Sequence, residues 1–289
     1  MLFRRRLLAA TFLAAALLPI HPWSALGAAE PGVEAMVAHR AAYRLTLDRA
    51  RDNSDIAQAE GAMLYEVVDA CDGWATRQRF SLTLTNRDGQ DVQTASDYST
   101  YETKDGRSIR FSLTQTSQGA VSQRIMGEAE VTPEGGRVRY TEPTAKEEPL
   151  PPGTLLPMLH TVRSLAAARG GTRLLVVPLF DGTSPDGAQD TTTVISGWQP
   201  PQAGGTSAAP PATPPAGARF PALAMLGSAR MRVAFFDRNA ANAGGASAPD
   251  YEVGLRYFEN GVADDLKMDF GEFSVDGRMQ ELAILPGGC

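Results

Sequence analysis

Two cysteines and three histidines in 289 residues leave little for thiol, metal or imidazole chemistry. No Gly-x-Ser-x-Gly elbow, His-Glu-x-x-His pair, phosphate-binding loop or dinucleotide fingerprint occurs, so the usual local signatures of hydrolases, zinc proteases, nucleotidases and dehydrogenases are missing. Basic charge is also in deficit, with 27 Lys and Arg against 33 Asp and Glu. Such a chain has no electrostatic reason to bind nucleic acid or an anionic membrane surface. The long uncharged apolar run, Leu7 to Ile20, is too short to cross a bilayer as a helix.

That run instead fits a secretory leader. Arg4, Arg5 and Arg6 form a basic head, the apolar run follows, and "SALGAAE" supplies the small residues a signal peptidase reads. We expect a signal peptide over 1–29, a mature chain from 30, and export across the inner membrane to the periplasm. A retained anchor is the alternative, but nothing later resembles a stop-transfer segment and the mature chain has no expected transmembrane segment. The adjacent arginines would also suit the twin-arginine route. No cysteine adjoins the cleavage region, which argues against an N-terminal lipoprotein. Without the leader the balance is 24 basic to 33 acidic residues, about −9. In an oxidising compartment two cysteines, Cys71 and Cys289, most economically form one disulfide; free thiols and a bridge between protomers are the competing outcomes.

Period-2 alternation dominates the mature chain. "HRAAYRLTLDRA" places Ala41, Tyr43, Leu45 and Leu47 on one face against Arg40, Arg44, Thr46 and Asp48. "GAMLYEVVDACDGW" repeats the pattern through Met63, Tyr65 and Val67. "WATRQRFSLTLTNRDG" repeats it through Trp74, Thr76, Gln78, Phe80, Leu82 and Leu84. Further strands with Asp-Gly, Gln-Gly or Gly-Gly turns follow as far as "RVRYTEP", giving six or seven in an antiparallel meander. "PLPPGTLLPMLHTVRSLAAARGG" then predicts one amphipathic helix of about fifteen residues, with Thr154 as N-cap, Pro157 in the first turn and Arg169 in the last. Its apolar face would cover the open side of a curved sheet. Strands resume at "TRLLVVPLFDG" and continue to the C-terminus. Two low-complexity stretches, 199–218 and 238–249, interrupt them and read as loop insertions into a single 30–289 domain.

The blocks "HRAAYRLTLDRA", "DACDGW", "LPPGTLLPMLHT", "VPLFDGTSPDG", "PDYEVGLRYFENGVADDLKMDFGEFSV" and "LPGGC" together resemble the EipB family of cell-envelope integrity proteins, periplasmic proteins of alphaproteobacteria. The likeness runs from about His39 to Cys289, broken only at the insertions. It implies a mainly β fold: a single antiparallel β-spiral or half-open barrel with one helix, similar to lipoprotein-carrier folds. It further implies a Cys71–Cys289 disulfide, a role in envelope integrity, and a tetratricopeptide-repeat envelope protein as partner. The family supplies no catalytic residue or cofactor to carry over, and the loop after Trp198 is longer than the family pattern.

The remaining chemistry-bearing residues have bland readings. His39 begins a strand with no nucleophile pattern to name its partner, and His160 sits within the helix. Asp264 and Asp265 point to opposite faces of a strand, so a calcium site with Asp269 is disfavoured. Asp181 and Asp186 suit a turn and depart from an EF-hand spacing. Trp74, Phe80, Leu82 and Leu84 are either core or the lining of a groove. We therefore expect a non-catalytic protein, without metal or cofactor, that binds a lipid, a lipoprotein or an envelope partner on a curved sheet. A hydrolase using His39, His160 and the acidic loops is the alternative.

Overall fold

In His39–Ala50 (β1) the residues expected to face inward do so: Ala41, Tyr43 and Leu45 are buried, Arg40 and Arg44 exposed. The computed structural model describes residues 32–201, 219–238 and 248–288. The leader, most of both insertions and Cys289 lie outside these residues. Seven more strands follow as a meander: β2 (Ile56–Asp69), β3 (Gly73–Asn86), β4 (Asp91–Thr103), β5 (Ser108–Ser117), β6 (Ala120–Thr132), β7 (Gly135–Glu142) and β8 (Lys146–Leu150). The last was not anticipated. Its sequence, "KEEPL", has three charges and a proline in five residues and shows no apolar alternation. Those residues instead blunt a sheet edge against pairing with another chain.

After the helix α1 (Pro157–Arg169) come β9 (Leu174–Leu179), β10 (Gln189–Gln199), β11 (Ser228–Phe236), β12 (Tyr251–Phe258), β13 (Ala263–Asp269) and β14 (Phe273–Ile284). All fourteen strands form one antiparallel sheet that is not closed, in the order β8-β7-β6-β5-β4-β3-β2-β1-β14-β13-β12-β11-β10-β9. Two meanders are thus joined where the first and last strands pair, from His39–Ile284 to Ala50–Phe273. The free ends of the sheet approach each other through one parallel bridge, Leu155 to Leu179.

The helix differs from expectation in two ways. Met158, Leu159, His160, Thr161, Val162, Ser164, Leu165 and Ala168 are buried, leaving a narrow exposed stripe at Arg163, Ala166 and Arg169. It is a plug gripped on most sides and not a lid with one apolar face. Thr154 is not its cap either; its hydroxyl donates to the Pro151 carbonyl at 2.7 Å. The first-turn amides of Met158 and Leu159 donate to the Glu102 carboxylate of β4, at 2.7 and 2.9 Å. The helix ends at Gly170, followed by Gly171 at φ 78, which frees the chain to turn back onto β9.

The main core joins β1–β3 and β11–β14 to the inner side of α1, through Tyr43, Leu45, Leu82, Leu165, Met231 and Val275. A second core lies under β5–β8, where Phe111 meets Phe180 and Tyr140 edge-on with centroids 5.3 and 5.8 Å apart.

Candidate functional site: an apolar cavity inside the sheet

Strand register stacks the inward residues of β1–β5 in tiers. Tyr43, Met63, Phe80, Ser96 and Gln115 form one row of cross-strand neighbours. Ala41, Tyr65, Gln78, Tyr98 and Leu113 form the next, and His39, Val67, Thr76, Thr100 and Phe111 a third. The tier beyond contains Trp74 and Glu102, and there Glu102 holds the first turn of α1. The helix therefore closes one end of the concave space. Between the other tiers and the inner faces of β11–β13 remains a cavity of about 650 Å³. That volume falls within the range of about 300–1,000 Å³ found for small-molecule sites.

Its wall is apolar, aromatic and rich in methionine. Met36, Met63, Met158 and Met268 contribute thioethers, and Tyr43, Tyr65, Tyr98, Tyr251 and Tyr257 contribute rings. Methionine adapts its shape to an irregular apolar guest, and tyrosine pairs an apolar body with a polar tip. Several of those tips are tied down. The Tyr43 hydroxyl donates to the Ala263 carbonyl at 2.6 Å, and the Tyr98 hydroxyl to the Asp181 carbonyl. Burial pushes all five phenols up from their ordinary range. Asp250 and Phe270 line the cavity yet are exposed, so they mark its mouth.

Of the four groove candidates, Phe80 lines the cavity. Trp74 and Leu82 are buried in the main core, and Leu84 packs against it. Alternation assigned their face of β3 but could not tell which tier meets empty space. Tyr65, Tyr98, Tyr251 and Tyr257 were missed as wall residues for the same reason.

His39 lines the cavity as well, at 2% exposure, with Nδ1 2.9 Å from the Val37 carbonyl. Desolvation lowers its pKa against a smaller opposite effect of that hydrogen bond. His160 packs away from this site, its Nε2 3.2 Å from the Thr193 hydroxyl, and burial lowers its pKa to about 4. The two imidazoles belong to separate surroundings, and neither meets a nucleophile–base–carboxylate chain among the described residues. Asp264 accepts from the Met279 amide at 3.3 Å, Asp265 pairs with Arg230 at 2.7 Å, and Asp269 accepts from the Gly271 amide at 2.9 Å. Asp181 accepts from the amide and hydroxyl of Thr183 at 2.9 and 2.7 Å, while the amide of Asp186 donates to Ser184 at 3.1 Å. These carboxylates and amides serve turns and ion pairs. No group of three or more His, Cys, Asp or Glu among the described residues converges as a metal cage would require. No helix among those residues is long and apolar enough to cross a membrane.

Cys71 occupies the β2–β3 turn at φ 72, its amide donating to Asp69 at 3.0 Å. Its sulfur lies 3.7 Å from the carbonyl oxygen of Gly288, the residue before Cys289.

Comparison with known proteins gives a consistent picture. A family model described as EipB-like matches residues 30–286. The cell envelope integrity protein EipB of Brucella abortus (strain 2308) is 29% identical over 271 residues, spanning 92% of this chain and 91% of that protein. A crystal structure from Brucella abortus, described as a beta-barrel-like protein of domain of unknown function DUF1849, superposes with a TM-score of 0.73 at 26% identity. That match covers 87% of this chain and 99% of the other.

Proposed function

The chain belongs to the EipB-like family, and from that premise we propose that it is a non-catalytic periplasmic protein that maintains the cell envelope by holding an acyl chain, of a lipid or a lipoprotein, in its cavity. The single observation that carries the binding step is the cavity itself: about 650 Å³, walled by methionine, aromatic and aliphatic side chains, between a plugging helix and an open mouth. The envelope role rests on the name of the Brucella relative. The non-catalytic reading rests on two histidines held apart, neither of them in a nucleophile–base–carboxylate chain among the described residues. A leader at 1–29 would deliver the protein to its compartment.

Native mass spectrometry of protein recovered from the periplasm tests the binding step. We expect lipid-mass adducts on the wild type and their loss in Ala263→Phe, which fills the cavity while keeping the backbone carbonyl that Tyr43 uses. Failure to detect lipid, together with full complementation of a deletion strain by Ala263→Phe, would refute this reading. In that case capture of a tetratricopeptide-repeat envelope protein would favour a scaffold instead.

We also propose that Cys71 and Cys289 are bridged. The approach of Gly288 to the Cys71 sulfur supports it, as does the Leu285 amide, which donates to the Ala38 carbonyl at 2.8 Å and lays the C-terminal tail beside β1.

A further inference from the structure

The cavity has a charge and hydrogen-bond character that a generic greasy pocket lacks. Among the described residues no lysine or arginine lines it; the charged side chains there are Asp181 and Asp250. An anionic head group placed inside would lose water without gaining a cation, which is strongly unfavourable. Three of its hydroxyl protons are already taken. The hydroxyl protons of Tyr43 and Tyr98 are committed to backbone carbonyls, and that of Thr183 to Asp181.

Against that background His39 stands out. A carbonyl can only accept, so the contact to Val37 puts the ring proton on Nδ1. Nε2 is then a bare acceptor. It is buried and has no hydrogen-bond partner among the described residues. Buried polar atoms without partners are rare in folded proteins and call for a reason. Here the atom belongs to a residue of the cavity wall, beside the apolar tier of Val67 and the Tyr65 ring, whose centroid is 5.9 Å away.

We propose that the cavity selects a neutral acyl lipid bearing a hydrogen-bond donor, a hydroxyl or an amide N–H, and that His39 Nε2 accepts that hydrogen bond while anionic head groups are turned away. Gln78 and Gln115, which can donate or accept, would meet ester or amide carbonyls of the same ligand. This selectivity rests on the acyl-binding function proposed above.

The test is a set of calorimetric titrations of the full exported protein at pH 7.5 with four probes: 1-monooleoylglycerol, methyl oleate, oleate and a synthetic diacylated lipopeptide. Monooleoylglycerol should bind roughly tenfold more tightly than either methyl oleate or oleate, the scale of one well-placed hydrogen bond. His39→Phe should abolish its advantage over methyl oleate. His39→Gln, which keeps a neutral acceptor, should restore part of it and also guards against a folding defect in the first variant. Lipopeptide binding with the same dependence on residue 39 would assign the site to a lipoprotein, and monooleoylglycerol binding alone would assign it to a free lipid. Oleate binding as tightly as monooleoylglycerol, or His39→Phe weakening every probe equally, overturns the selectivity and leaves acyl binding standing. If no probe binds, both fall.

Discussion

At Glu102, burial and hydrogen bonding pull in opposite directions. The side chain is 1% exposed, and desolvation pushes its pKa up to about 8 although two helix amides donate to it and favour the charge. A carboxyl whose pKa is raised on folding contributes stability that is complete below its ordinary value near 4.5 and is lost as pH rises through about 8. His160 behaves oppositely: its contribution is complete above 6.5 and is lost as pH falls through about 4. Between pH 4.5 and 6.5 these two slopes offset, and from 6.5 to 8 Glu102 acts without His160. Glu102→Gln should therefore gain on the wild type by on the order of 2 kcal/mol between pH 6.5 and 8, measured as the change in their stability difference by denaturant titration. A constant difference across that range would mean the carboxyl is already ionised. Little of this was legible beforehand. In "STYETKDG" Glu102 reads as a solvated strand charge, because the helix amides it serves are 56 and 57 positions away in sequence and meet it only in the folded tier.

At the scale of elements, the plugging of α1 makes a graded prediction. Leu165 is 3% exposed in the main core, so Leu165→Ala should cost about 2–5 kcal/mol. Ala166 lies on the exposed stripe, and Ala166→Lys should stay within about 0.5 kcal/mol. Urea unfolding of both variants checks the contrast; equal losses would show that the helix face is assigned wrongly. Strands with a buried apolar row, such as β1 and β3, declared themselves through alternation. So did the helix, by its spacing and closing glycines. Its capping did not, since "LPPGTLLPM" contains a local candidate, Thr154, that the fold employs elsewhere. β8 was silent because an edge strand is built to resist pairing, and resisting pairing removes the pattern by which strands are recognised.

For the whole molecule, the proposed Cys71–Cys289 bridge would close a loop spanning most of the chain. Replacing both cysteines with serine should lower stability by up to about 5 kcal/mol in the chain-entropy model. Non-reducing peptide mapping of exported protein should recover the two cysteines in one linked peptide, and finding them separate would refute the pairing. Mainly β architecture and one helix were readable from periodicity, and the half-open shape from the family resemblance. The existence of the cavity was not. Alternation reports which face is apolar, and an apolar face filled by neighbours looks the same in sequence as one that encloses empty space.

The order of strands also fixes an order of events. β1 has β2 as a local partner, but its other neighbour is β14, the last strand of the chain. The first meander can assemble before the rest of the chain is available, whereas the β1–β14 seam at the middle of the sheet must wait for the C-terminal strand. Loop-closure entropy makes such long-range pairing slow. Until it forms, β1 offers one open edge and the wall of the cavity is incomplete, so a greasy ligand or a foreign strand could reach it. A chaperone able to shield an exposed strand edge would have its greatest effect in that interval.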